Sequence, residues 1–84
     1  MVKSKYTKII FKNKLKKAIE IWIEPEAESI DLMQNKSAHI LIDSYENEPL
    51  VIDFHEDAVV IFNNSKTQLE ILIDDHLVFS NSLG

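Results

Sequence analysis

The sequence predicts an all-β fold, a single antiparallel β-sandwich or small barrel of seven to eight short strands. Three observations carry that expectation. Short runs rich in Ile, Val, Leu and Phe recur about every 8–12 residues. Asn, Asp, Ser and Lys clusters separate the runs, as turn residues do. Inside several runs apolar and polar residues alternate, the period of a strand with one face buried.

The clearest run is Ile19–Glu24, where Ile19, Ile21 and Ile23 alternate with Glu20, Trp22 and Glu24 before Pro25 closes it. A pleated strand puts the isoleucines on one face and Trp22 on the other, between two carboxylates. A helical reading competes over Leu15 to Ile23, with Asn13 as a cap. The strand is preferred because β-branched residues dominate and Pro25 follows closely. Ser29 to Leu32 then starts the chain back, on a second strand or an arched connection.

The other elements follow in order. Tyr6 to Lys12 is a first strand with Ile9, Ile10 and Phe11 at its centre, and the Asn13-Lys14 break suggests a hairpin into the Trp22 strand. After a turn at Gln34 to Ser37, the run Ala38, Ile40, Ile42 is a further strand. Ser44 to Pro49 is the longest polar connection, leading to Leu50–His55. Glu56-Asp57 separates that run from Ala58–Phe62, and Asp74-Asp75 separates Leu69–Ile73 from His76–Phe79, so each is expected to make a local hairpin. Asn63 to Lys66 makes the remaining turn, and Ser80 to Gly84 reads as a frayed tail. The expected core is Ile10, Ile19, Ile21, Ile23, Ile40, Ile42, Ile52, Phe54, Val60, Phe62, Leu69, Ile71 and Ile73.

The chain of 84 residues reads as one domain, 1–84, with a basic strand over 5–12 and a modest core. It has no cysteine, which excludes a disulfide framework, a thiol nucleophile and a Cys-based zinc site, and fits a reducing cytoplasm. No signal peptide or membrane-spanning segment is expected, since the longest apolar run is Ala58–Phe62. The net charge of −5 is unevenly placed: seven of the nine basic residues are lysines within the first 17 positions, and all 14 acids follow. Lysines without arginine, alternating with apolar residues beside an acidic body, fit a protected edge strand better than a nucleic-acid arm.

The only glycine is Gly84, so phosphate loops, dinucleotide fingerprints and nucleophile elbows are excluded. His39, His55 and His76 could in principle converge on a metal as in a cupin-like site, but no H-x-H pair puts two of them side by side on one strand. Solvated histidines and no metal or other cofactor are the expectation. Glu24, Glu26, Glu28 and Asp31 lie in an open polar stretch, and no serine has an activating context, so catalysis is not expected.

The segment Trp22-Ile23-Glu24-Pro25, with Asp31-Leu32 and the His55-Glu56-Asp57-Ala58-Val59 hairpin, resembles small uncharacterised bacterial all-β proteins over residues 6 to 75. The resemblance implies a β fold and brings no catalytic residue with it. Where those proteins often have Pro-Gly after the D-L pair, this chain has Met33-Gln34-Asn35-Lys36.

Apolar residues also fall opposite the expected core face: Leu41, Val51, Val59, Ile61, Leu72, Leu77 and Phe79. Such residues need a second covering surface. The expected function is therefore non-catalytic, a protein-interaction or self-associating module, with Trp22, Val59, Ile61 and Leu72 as interface residues and a protein partner or homodimer as occupant. The alternative is a cupin-like metal- or small-molecule-binding protein using His39, His55 and His76.

Overall fold

A computed structural model describes residues 6–44, 50–63 and 67–81. Eight strands form two four-stranded sheets, with no helix among the described residues. They are β1 (Tyr6–Lys12), β2 (Ile19–Glu24), β3 (Glu28–Leu32), β4 (Ser37–Ser44), β5 (Val51–Phe54), β6 (Ala58–Phe62), β7 (Thr67–Ile73) and β8 (His76–Ser80). One sheet, here sheet A, has the order β1-β4-β7-β8, and sheet B has the order β3-β2-β6-β5. Each sheet keeps two edges, so the architecture is sandwich-like and not a closed barrel.

The alternation along β2 is read correctly by its sequence. Ile21 and Ile23 are buried between the sheets, and Trp22 faces outward. Sheet A contributes Ala38, Ile40, Ile42, Leu69, Ile71 and Phe79 to the same core, and sheet B adds Leu32, Val59 and Ile61. Ile19, Ile52 and Ile73 are partly buried against it.

Four expected core residues lie elsewhere. Ile10 is 55% exposed, Phe54 68% and Phe62 41%, and Val60 is only partly buried. The cause in β6 is the length of its hairpin. His55 N–H donates to Ala58 O at 2.8 Å, which closes a loop of Glu56 and Asp57. Phe54 then pairs with Val59 and Ile52 with Ile61, so even positions on β5 share a face with odd positions on β6. In β1 the register Ile9↔Ile40 and Phe11↔Ala38 turns Ile9 and Phe11 inward and Ile10 outward.

The hairpins β5–β6 and β7–β8 form as expected. Asp74 and Asp75 both take positive φ, 54° and 63°, as a two-residue type I′ turn requires. A bulge between Ile71 and Leu72 then shifts the register, so Phe79 pairs with Ile71 and enters the core at 5% exposure. The expected frayed tail is corrected at its start. Ser80 belongs to β8, and the Asn81 side chain accepts from Leu69 N–H at 2.7 Å and donates to Thr67 O at 3.0 Å.

The expected β1–β2 hairpin does not form, because β1 pairs with β4 and β2 with β3. Asn13 is the reason the chain changes sheets there. It is fully buried, with Nδ2 donating to Lys17 O and Leu32 O at 2.8 Å each and Oδ1 accepting from Leu15 N–H at 2.8 Å. Its main chain pairs with Lys36 O and Asn35 N–H. Asn35 itself has φ 64°, and Lys36 N–H closes the turn on Met33 O at 3.1 Å. An asparagine thus serves where glycine is the commoner residue.

One pairing departs from the antiparallel expectation. β2 and β6, the two central strands of sheet B, run parallel, with Trp22↔Val60 and Glu24↔Phe62 in register. The connection between them passes through β3, β4 and β5, and so through the other sheet.

Candidate functional site

The two outer faces of the sandwich are chemically unlike, and the register tables set out their rows. On sheet B, Ser29, Trp22, Val60 and Asp53 lie side by side across four strands. The next row is Glu24, Phe62 and Val51, and the row on the other side is Asp31, Glu20 and Ala58. Trp22, Val60, Phe62 and Val51 therefore form one apolar patch at the middle and β5 side of the face. Phe62 and Val51 are 41% and 51% exposed. Four carboxylates, Glu20, Glu24, Asp31 and Asp53, surround this patch.

On sheet A the corresponding row is Ile10, His39, Leu72 and Leu77. Beside it run Lys8, Leu41, Glu70 and Ser80. This face is flanked by lysine on β1 and carries no aromatic in those rows.

Of the four expected interface residues, Trp22 and Leu72 face outward, on different sheets. Val59 and Ile61 do not: they are 7% and 0% exposed, inside the sandwich. The β5–β6 loop length described above reverses the assignment, and the outward pair is Val60 and Phe62. A strand such as AVVIF has no polar residue to declare its parity, so only the loop closure could have revealed it.

The histidines occupy separate places. His39 lies in the outer row of sheet A, His55 precedes the β5–β6 loop, and His76 opens β8. Among the described residues, no group of three His, Asp or Glu side chains is placed to hold a metal ion. The exposed pairs Lys17–Asp57 at 3.4 Å and Lys36–Asp74 at 2.8 Å are surface contacts, each worth at most about 1 kcal/mol.

Where the end of β1 passes the β5–β6 loop, a cleft of about 200 Å³ opens, lined by Phe11, Ile19, Leu32, Phe54 and Ala58 with Glu56 at its rim. Phe11 and Phe54 meet edge to face across it, with ring centroids 5.6 Å apart and planes at 62°. Small-molecule sites usually measure about 300–1,000 Å³, so this cleft is a gap between sheets more than a ligand pocket. The outer face of sheet B, with Trp22 among four carboxylates, is the more distinctive feature. No family model, curated protein or solved structure matches this chain.

Proposed function

We propose that this domain is a non-catalytic protein-interaction module, and that the outer face of sheet B is its contact surface. The observation that carries this is the outer side of the central β2–β6 pair, where Trp22 stands beside Val60 and Phe62 within a ring of carboxylates. An exposed apolar patch rimmed by polar residues is a mark of a contact surface. Ile21, Ile23, Val59 and Ile61 are buried between the sheets, whereas half-buried Trp22 and Val60 and exposed Phe62 face outward.

The rim defines the partner. Glu20, Glu24, Asp31 and Asp53 favour an apolar segment flanked by lysine or arginine, which would place its side chains on Trp22 and Phe62 and its cations on the carboxylates. A chain without cysteine is suited to meeting that partner in a reducing compartment such as the cytoplasm. The cupin-like alternative has less support, because the three histidines lie apart.

Trp22 is the sole tryptophan, so its emission reports this face directly. Titration with an amphipathic peptide of alternating lysine and leucine should shift that emission to the blue and saturate. Val60→Glu should remove the shift while the far-ultraviolet circular dichroism of the fold persists. An unchanged titration with Val60→Glu would overturn the assignment of the face.

A further inference from the structure

We infer that the outer face of sheet B takes the outer face of sheet A from a second copy of this chain, with β1 of that copy lying along β2 and Ile10 seated on Trp22. This rests on the reading of sheet B as a contact surface and names its occupant. β1 carries the pattern that the carboxylate rim calls for. Its outward residues are Lys8, Ile10 and Lys12, and those of β2 are Glu20, Trp22 and Glu24. Successive members of either triplet lie about 6.6 Å apart along the strand, so the two rows match in length. They carry opposite charge at both ends and an apolar side chain at the centre. Ile10 is 55% exposed, and both lysines are exposed. Among the described residues, none of these four charged side chains is in an ion pair within its own chain; the paired lysines are Lys17 and Lys36.

The backbone decides which strands follow β1 onto sheet B. Asn13 N–H donates to Lys36 O, so the inward residues of β1 turn their main-chain groups toward β4. Glu20 N–H donates to Asp57 O, so the outward residues of β2 turn theirs toward β6. In a strand of L-residues running upward, those whose side chains face the viewer turn their N–H and C=O to the right. Seen from outside, β4 therefore lies to the left of β1, and β6 to the right of β2. Turning one face onto the other brings β4 over β6 only when β1 and β2 run the same way.

In that parallel arrangement Lys8 meets Glu20, Ile10 meets Trp22 and Lys12 meets Glu24. Leu41 and His39 on β4 then cover Ala58 and Val60 on β6, with Ser37 above Phe62. The antiparallel arrangement would match the charges equally well, but it places β4 over β3 and leaves Val60 and Phe62 open. Apolar cover selects the parallel one. Stacked sheets cross at about 30°, so the match is closest on these two strand pairs. The two faces differ, so the contact is heterologous, and further copies can add at either end.

Ile10→Glu spoils the face on sheet A and leaves that on sheet B intact; Val60→Glu does the reverse. In sedimentation velocity the weight-average mass of the wild type should rise with concentration above the 9.7 kDa of one chain, while each variant stays single. Mixed, the two variants should form a one-to-one pair and nothing larger, because one intact face of each kind remains. Lys8→Glu in the Val60→Glu chain should weaken that pair at least about three-fold. Glu20→Lys in the Ile10→Glu chain should then restore it, and Glu24→Lys should not. Rescue by Glu24→Lys alone would overturn the parallel arrangement. A wild type that stays single at every concentration, self-association of Ile10→Glu, or a mixture that forms no pair would overturn the stacking. The lysine–leucine peptide, added to the single Ile10→Glu chain, separates the two failures: if the Trp22 emission still shifts, the contact face stands and its occupant falls, and if it does not, the reading of the face falls as well.

Discussion

The side-chain amide of Asn13 donates to the main-chain carbonyl of Leu32 at 2.8 Å, across 19 residues of sequence. With its bonds to Lys17 O and Leu15 N–H, it ties the point where the chain leaves sheet A to the end of β3 in sheet B. Asn13→Ala would leave the buried Leu32 carbonyl and the partly buried Lys17 carbonyl and Leu15 amide without this partner, a loss of about 3 kcal/mol. Asn13→Asp should be as harmful or worse, because a carboxylate would face the same carbonyls. Urea denaturation checks this; a midpoint within error of wild type for both variants would show that the corner does not depend on the amide.

The β7–β8 turn should be improvable. Asp75 has φ 63°, at the position of a type I′ turn where glycine is favoured. Asp75→Gly should raise stability by about 0.5–1 kcal/mol, while Asp74 keeps its contact with Lys36. A fall in melting temperature would mean that the Asp75 side chain has a role the backbone geometry does not reveal.

Parity in β6 makes a paired prediction. Ile61→Ala removes a fully buried side chain and should cost about 2–5 kcal/mol, whereas Val60→Ala on the outward face should cost less than about 1 kcal/mol. Equal costs in thermal or urea unfolding would contradict the register of the β5–β6 hairpin.

Much of this architecture was legible in the chain, and the failures share a cause. β2 declared its inward face because Glu20 and Glu24 mark the other side. β6 and the Ile9-Ile10-Phe11 run of β1 are apolar without interruption, so their parity depends on loop closure and on the partner strand. The Ile71/Leu72 bulge, which sends Phe79 inward, leaves no compositional trace. The β1–β2 crossing was misread for a related reason: Asn13 looks like a turn residue, and only its burial shows that it holds two sheets together. For the candidate site, Trp22 was visible as an aromatic among carboxylates, but its neighbours Val60, Phe62 and Val51 required the parallel pairing of β2 with β6. Short loops imply sequential hairpins, and nothing local signals a crossover.

The Phe11–Phe54 contact joins β1 of one sheet to β5 of the other. A double-mutant cycle with alanine at both positions should give a coupling of about 0.5–1.5 kcal/mol. Zero coupling would place the two rings in contact without mutual stabilisation.

The interaction face is tested most directly by mapping amide shifts in ¹⁵N-labelled protein as the lysine–leucine peptide is added. The outer face of sheet B should respond, with the largest changes at Trp22, Val60, Phe62 and Val51, and the effect should weaken as salt screens the carboxylate rim. Ile10, Leu72 and Leu77, on the far face of sheet A, should stay in place. Shifts centred on those three residues, or spread evenly over both faces, would contradict the assignment of sheet B as the contact surface.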